Sequence, residues 1–170
     1  MILIKSHCLG NDYLVLHEPG VPLTPARVRA ICHRHTGIGG DGILEPLPGA
    51  GADYGLRIWN PDGSTAEKSG NGLRIFARYL VDHRGAPKRF TVSVESGVVR
   101  CRVARDAVTV QMGTASLAPA DVPCTQALSQ TPVAVAGATL SLTAVGVGNP
   151  HCVVFFLSLI HISEPTRRYE

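Results

Sequence analysis

An α+β fold built on a mixed, mainly antiparallel sheet is what this sequence predicts, on three observations. Strand-like segments dominate and follow one another directly, only two segments carry helical periodicity, and the one dinucleotide-like glycine pattern sits in the wrong context. MILIKSH alternates apolar and polar residues, and DYLVLH follows it after a turn at Gly10-Asn11-Asp12. A first helix runs from about Pro25 to His35, with Thr24 as N-cap, Pro25 at the first helical position and Gly37 just past the end. Gly37-Ile38-Gly39-Gly40-Asp41-Gly42 then matches G-x-G-x-x-G. It follows a helix and leads into the apolar pair Ile43-Leu44, whereas a dinucleotide fingerprint follows a strand and opens a helix. Nucleotide binding is therefore not expected.

YGLRIW reads as a strand before the turn Asn60-Pro61-Asp62-Gly63. Leu73, Phe76, Ala77 and Leu80 recur at i, i+3, i+4 and i+7, which predicts a second, amphipathic helix opening after Ser69 and closed by Gly85 and Pro87. FTVSVESGVVRCRVARDAVTVQM supplies three consecutive strands punctuated by Gly97 and by Arg105-Asp106. Beyond Gly113 the composition shifts to Ala, Pro, Ser and Thr, and apolar strands resume at Val133 to Ala136 and Thr139 to Val147. We place a domain boundary there, giving a first domain over 1–113, the start of a second over 114–156 and an aberrant tail over 157–170.

Composition excludes several classes of function. No stretch approaches the ~20 apolar residues of a membrane-spanning helix, and the N-terminus lacks a signal-peptide pattern, so a cytoplasmic protein with no membrane partner is expected. The five cysteines, Cys8, Cys32, Cys101, Cys124 and Cys152, are scattered without a C-x-x-C, which predicts reduced thiols and neither a disulfide framework nor a zinc site. The net charge of +3 comes from dispersed Lys and Arg with 5% aromatic residues, a poor match for nucleic acid but compatible with a small anionic substrate.

The chemistry concentrates in asparagine-bearing turns. Ser69-Gly70-Asn71-Gly72 stands at a helix N-terminus, where the first backbone N–H groups lack intrahelical partners and carry the positive end of the helix dipole. Two readings of Ser69 follow: it caps the helix, or the turn binds a substrate carboxylate on the amides of Gly70 to Leu73 with Asn71 as a further donor. Asn11, Asn60, Asn71 and Asn149 each occupy a turn that contains Gly or Pro. Asparagine is common in turns for local reasons, yet four converging amides would supply neutral donors and acceptors for a zwitterionic amino acid.

CLGNDYLVL, HRHTGIGGDGIL, RIWNPDGSTAEKSGNGLRIFARYL and VGNPHCVVF, in this order, resemble the successive motifs of the diaminopimelate epimerase family. The resemblance covers the chain almost continuously from Met1 to Phe156. It implies a mixed sheet wrapped around a central helix, with a complete first domain and a partial second one. It also implies conversion of LL-diaminopimelate to meso-diaminopimelate in lysine biosynthesis, a homodimer, and no pyridoxal phosphate or metal. Carried over by position, Asn11, Asn60, Gly70, Asn71 and Asn149 fall at substrate-binding positions. Ser69 falls where the family usually has one of two catalytic cysteines, His151 falls where a residue tunes that pair, and Gly42 stands where many members carry a glutamine.

Serine at this position changes the chemistry. An alcohol is less acidic than a thiol by roughly five pKa units or more, so its alkoxide costs on the order of 7 kcal/mol more than a thiolate, against ~0.3–2 kcal/mol from a helix end. Ser69 is therefore a donor, a relay or a cap rather than an unaided base. Cys8 and Cys152 read as structural thiols. The last residues, LSLIHISEPTRRYE, leave the family pattern and resemble translated adapter sequence, which leads us to expect the loss of most of a second domain with the second catalytic cysteine. The alternatives are a proline racemase or hydroxyproline dehydratase-like enzyme of the same fold, and a non-catalytic amino-acid-binding fragment.

Overall fold

The computed structural model describes residues 1–135, 137–147 and 150–155. The chain divides into two compact units, Met1–Met112 and a second from Gly113 onward. The first unit carries β1 (Ile2–Cys8), β2 (Asn11–Glu18), α1 (Pro25–Cys32), β3 (Ile43–Leu47), β4 (Tyr54–Trp59), β5 (Thr65–Ala66), α2 (Gly70–Arg84), β6 (Arg89–Val94), β7 (Gly97–Val103) and β8 (Val108–Val110). Its strands form one sheet in the order β1-β2-β3-β4-β6-β7-β8, with β5 added to β4. The β2–β3 and β4–β6 pairs are parallel and the others antiparallel. This is the mixed, mainly antiparallel α+β arrangement that the sequence predicts.

The sheet curls around α2. Strands from both ends of the sheet order, β1 and β8, contact the same helix, as do β2 and β7. The four-residue stripe read from the sequence is therefore only part of what α2 buries: Gly72, Ile75 and Tyr79 are covered as well as Leu73, Phe76, Ala77 and Leu80. Phe76 and Leu73 are fully buried in a cluster that includes Tyr13, Val15, Leu44, Ile58, Val92 and Val99. On the opposite face of the sheet, Leu14, Ile43 and Trp59 pack with Val28 and Cys32 of α1. Successive residues of a strand point to opposite faces, so covering both faces explains why the middle of β2 is an unbroken apolar run.

α1 starts as expected, with the Thr24 hydroxyl accepting from Arg27 N–H, but ends at Cys32 rather than His35. His33 is extended, and the loop behind it turns its amides onto the helix end. Ile38 and Gly39 N–H both donate to Ile31 C=O, and Gly40 N–H donates to Cys32 C=O. A Cβ on Gly37 would lie 2.2 Å from Ala30 O, so only glycine permits this approach. Three of the loop's N–H groups, those of Ile38, Gly39 and Gly40, are thus spent on carbonyls of α1.

α1 also serves as the crossover between parallel strands β2 and β3. The starts of those two strands consequently lie side by side, bringing Asn11 and Asp12 next to Asp41 and Gly42: Asp41 N–H donates to Asp12 C=O and Leu14 N–H to Gly42 C=O. The β1–β2 turn has positive φ at both central residues, Leu9 (55°) and Gly10 (86°), as expected of a tight two-residue hairpin connection.

In the second unit, β9 (Thr131–Val135), β10 (Ala138–Gly146) and β11 (Pro150–Val154) form an antiparallel sheet in the order β11-β10-β9. The two apolar segments read from the sequence correspond to β9 and β10, while β5 and β11 were not expected as strands. Ala136 and the expected tail over 157–170 lie outside the described residues.

Because Phe76 sits where the curled sheet converges on α2, Phe76→Ala should cost about 3–5 kcal/mol of folding stability, read by chemical denaturation. A loss below about 1 kcal/mol would show that the helix is not the centre of the core.

Candidate functional site

Three segments of the first unit meet at the N-terminus of α2: the start of β2, the loop entering β3 and the first turn of the helix. Ser69 is the N-cap, with extended backbone and its Oγ accepting from Gly72 N–H at 3.0 Å. Leu73 N–H donates to Ser69 C=O. The N–H groups of Gly70 and Asn71 are the first two of the helix and have no intrahelical acceptor. Both residues are half-buried, at the positive end of a helix of 15 residues.

Tyr13 lies beneath this tip, and its O–H donates to Ser69 Oγ at 3.3 Å. Burial pushes the Tyr13 phenol above its ordinary value, which keeps it protonated at neutral pH. Ser69 Oγ thus accepts from two donors, and its own proton remains available to a further acceptor. The sequence reading missed Tyr13, for which the only signal was its place in the strand directly after Gly10-Asn11-Asp12.

Asn71 joins Asn11 across the site. Asn71 Nδ2 stands 3.4 Å from Asn11 Oδ1, while Asn71 Oδ1 accepts from Arg74 Nη1 at 3.1 Å. Asn11 Nδ2 donates to Asp41 Oδ2 at 2.7 Å. Behind them lies an ionic cluster: Arg34 reaches Asp12 Oδ1 at 2.7 Å and Asp41 Oδ1 at 2.6 Å, and Lys5 Nζ lies 3.2 Å from Asp12 Oδ2. The Arg34 guanidinium, helped by Lys5, holds the Asp12 carboxyl well below the usual carboxylate range against the opposing effect of burial. Arg74, Asp41 and Arg34 were also not singled out in the sequence; for Arg74, the legible signal was its i+3 spacing from Asn71.

Of the residues expected in the site, Asn11, Ser69, Gly70 and Asn71 come together. Asn60 stands in its own turn, its Nδ2 donating to Ser64 Oγ at 3.0 Å and its backbone N–H to Ser64 C=O. His151 is on β11 of the second unit, lining with Cys124 and Cys152 an apolar cavity of about 340 Å³. Asn149 lies outside the described residues. At Gly42 a Cβ would fall 2.2 Å from Trp59 O and 2.8 Å from Tyr13 Cε1, so this backbone excludes any larger side chain there. Burial pushes the Cys101 thiol up to about 11 and raises that of Cys32, leaving both as core thiols. Cys8 is partly buried at the end of β1, and Cys152 is exposed on β11.

The family profile for diaminopimelate epimerase matches residues 3–118. The chain belongs to the diaminopimelate epimerase family. It is 43% identical over 163 residues to diaminopimelate epimerase 2 of Nostoc sp. strain PCC 7120, covering 91% of this chain and 57% of the relative. It is 44% identical over 165 residues to the diaminopimelate epimerase of Picosynechococcus sp., covering 89% and 58%. The chain therefore spans somewhat more than half the length of these curated relatives. Among solved structures, a hydroxyproline epimerase from Agrobacterium vitis, determined with bound trans-4-hydroxy-L-proline, superposes with a TM-score of 0.59 at 16% identity, covering 84% of this chain and 48% of that one. That similarity shows a shared epimerase fold. Within this family, the cluster at the tip of α2 is assembled from the same motifs that carry the resemblance.

Ser69→Ala should lower stability by about 1 kcal/mol, the usual cost of removing an N-cap hydroxyl, measured by denaturation; no loss would mean that the bond to Gly72 N–H contributes nothing. Asp12 titrates lower when folded than its unfolded value near 3.9, so its contribution is complete above that value and is lost as the pH falls below it toward the folded pKa. Asp12→Asn should therefore reduce stability at pH 7 and flatten its decline below about pH 4. An unchanged acid-unfolding profile would contradict the ion cluster.

Proposed function

We propose that this chain serves the cofactor-independent epimerisation of diaminopimelate, from the LL to the meso form, in lysine biosynthesis. The observation that carries this reading is the meeting of the Asn11 and Asn71 amides, 3.4 Å apart, at the tip of α2, where the first N–H groups of the helix, those of Gly70 and Asn71, have no intrahelical acceptor. A substrate carboxylate rests on those N–H groups and on Asn71 Nδ2, where both the helix dipole and direct donors favour negative charge. The substrate ammonium donates to Asn11 Oδ1.

Ser69 then stands beside the α-carbon as a hydrogen donor. When its hydroxyl gives a proton to the carbanion, the charge left on Oγ is met by Gly72 N–H and Tyr13 O–H, the two donors already aimed at it. Those bonds stabilise a transient alkoxide but do not bring an alcohol into the thiol range, so Ser69 donates in this direction and is reprotonated from solvent. The base on the other face of the substrate must be more acidic in its conjugate form than an alcohol, a role that the family's mechanism gives to a second cysteine. A homodimer in the cytoplasm belongs to the same proposal.

A second reading, binding without turnover, is favoured by the engagement of Ser69 Oγ as a helix cap. Calorimetric titration with diaminopimelate isomers, followed by NMR detection of deuterium entering the α-carbon in heavy water, separates the two. Binding with exchange supports epimerisation, binding without exchange supports the second reading, and absence of binding overturns both. Asn71→Ala should weaken binding about tenfold and more than Ser69→Ala, because it removes a donor to the carboxylate. Equal or reversed losses would place the carboxylate away from this turn.

A further inference from the structure

We infer that Asp41 and Arg74 are positioning residues that select an α-amino acid over a plain carboxylic acid, by fixing which end of each asparagine amide faces the substrate. The inference rests on the binding mode proposed above and assigns its specificity to two side chains that do not themselves touch the ligand.

An asparagine amide is nearly symmetric in shape but not in chemistry, presenting two N–H donors at one end and an acceptor oxygen at the other. An ionised carboxylate only accepts and a guanidinium only donates, so a charged neighbour of either kind settles the orientation of an amide beside it. Asp41 Oδ2 accepts from Asn11 Nδ2 at 2.7 Å, which leaves Asn11 Oδ1 as the atom turned toward Asn71. Rotating the amide would set its oxygen against the Asp41 carboxylate. Arg74 Nη1 donates to Asn71 Oδ1 at 3.1 Å, which leaves Asn71 Nδ2 turned toward Asn11. The site therefore shows one acceptor and one donor, each backed by a charge of the matching sign.

In the free protein these two ends face each other at 3.4 Å, at the weak limit of a hydrogen bond. A zwitterionic head exchanges that contact for two charge-assisted ones, its ammonium to Asn11 Oδ1 and its carboxylate to Asn71 Nδ2. A carboxylic acid without an amino group satisfies Asn71 but leaves the Asn11 oxygen without its cationic partner. Asp41 is itself held by Arg34 Nη2 on Oδ1 and by Asp12 N–H on Oδ2, so it does not swing with the ligand.

The test compares LL-diaminopimelate with pimelate, the same dicarboxylate lacking both amino groups, by titration calorimetry on wild type, Asp41→Asn, Arg74→Met and Asn11→Ala, with the Asn11 side-chain resonances followed by NMR. Wild type should bind diaminopimelate more tightly than pimelate. Asp41→Asn should lose about tenfold for diaminopimelate while keeping pimelate affinity within about twofold, and Arg74→Met should weaken both ligands together. In an Asn11→Ala background, Asp41→Asn should have no further effect, since Asp41 acts through that amide. The Asn11 NH2 signals should shift in Asp41→Asn while the rest of the folded spectrum is kept.

Equal losses for both ligands in Asp41→Asn, or an undiminished effect of that change in the Asn11→Ala background, would overturn the inference. If Asp41→Asn does not fold, Asn11→Ala carries the comparison: it should erase the preference for diaminopimelate, and a retained preference would overturn the inference. If wild type binds neither ligand, the reading under Proposed function fails. The Asn11 signals then decide alone whether Asp41 orients the amide, and unmoved signals reject that as well.

Discussion

Enclosing one helix within a single curled sheet is the constraint on which the rest of the first unit depends. α2 buries residues around most of its circumference because strands from both ends of the sheet close on it, and a helix held in this way cannot tilt or slide without opening the core. Its N-terminus inherits that rigidity. The N–H groups of Gly70 and Asn71, the Ser69 hydroxyl and the Asn71 amide are consequently fixed relative to β2, whose Tyr13 side chain reaches both the core and the cap. A helix tip gains precision from a well-packed sheet curled around the helix, and here Tyr13 belongs to both the core and the cap.

The second layer of organisation is electrostatic. The crossover through α1 places the starts of β2 and β3 side by side, and Arg34 joins Asp12 to Asp41 across that junction while Lys5 contributes from β1. Exposed ion pairs usually contribute little to stability. This cluster has a more local consequence, because it determines where Asp41 stands and so which way the Asn11 amide points. The glycine loop between α1 and β3 belongs to the same device: its N–H groups close α1, which delivers Arg34 and Asp41 to the two ends of one short segment.

Serine at the N-cap changes what this site does most economically. A helix end and two donors favour negative charge on Oγ by a few kcal/mol, whereas a serine alkoxide at neutral pH needs substantially more than that relative to a thiolate. Under the proposed function, the geometry is therefore better suited to donating a proton to a substrate carbanion than to deprotonating the substrate. The chain belongs to the diaminopimelate epimerase family, and under the function proposed for it the alcohol at Ser69 limits the direction of proton transfer.

Sequence alone determined the features that are local or periodic. The apolar repeat of α2, the caps at Thr24, Ser69 and Gly85, the alternation of the strands and the inverted context of the glycine loop were all legible because each is set by neighbours a few residues away. The motifs carried the family and four of the residues that meet at the tip of α2. Only the tertiary structure decided the rest: that α2 is buried well beyond one stripe, that α1 stops at Cys32 where the loop behind it folds back onto its carbonyls, and that β5 pairs with β4 and β11 with β10. It alone brought Asp41 to Asn11, across 30 residues of chain. Those outcomes depend on which segments the sheet topology places side by side, and no short window of sequence contains that information.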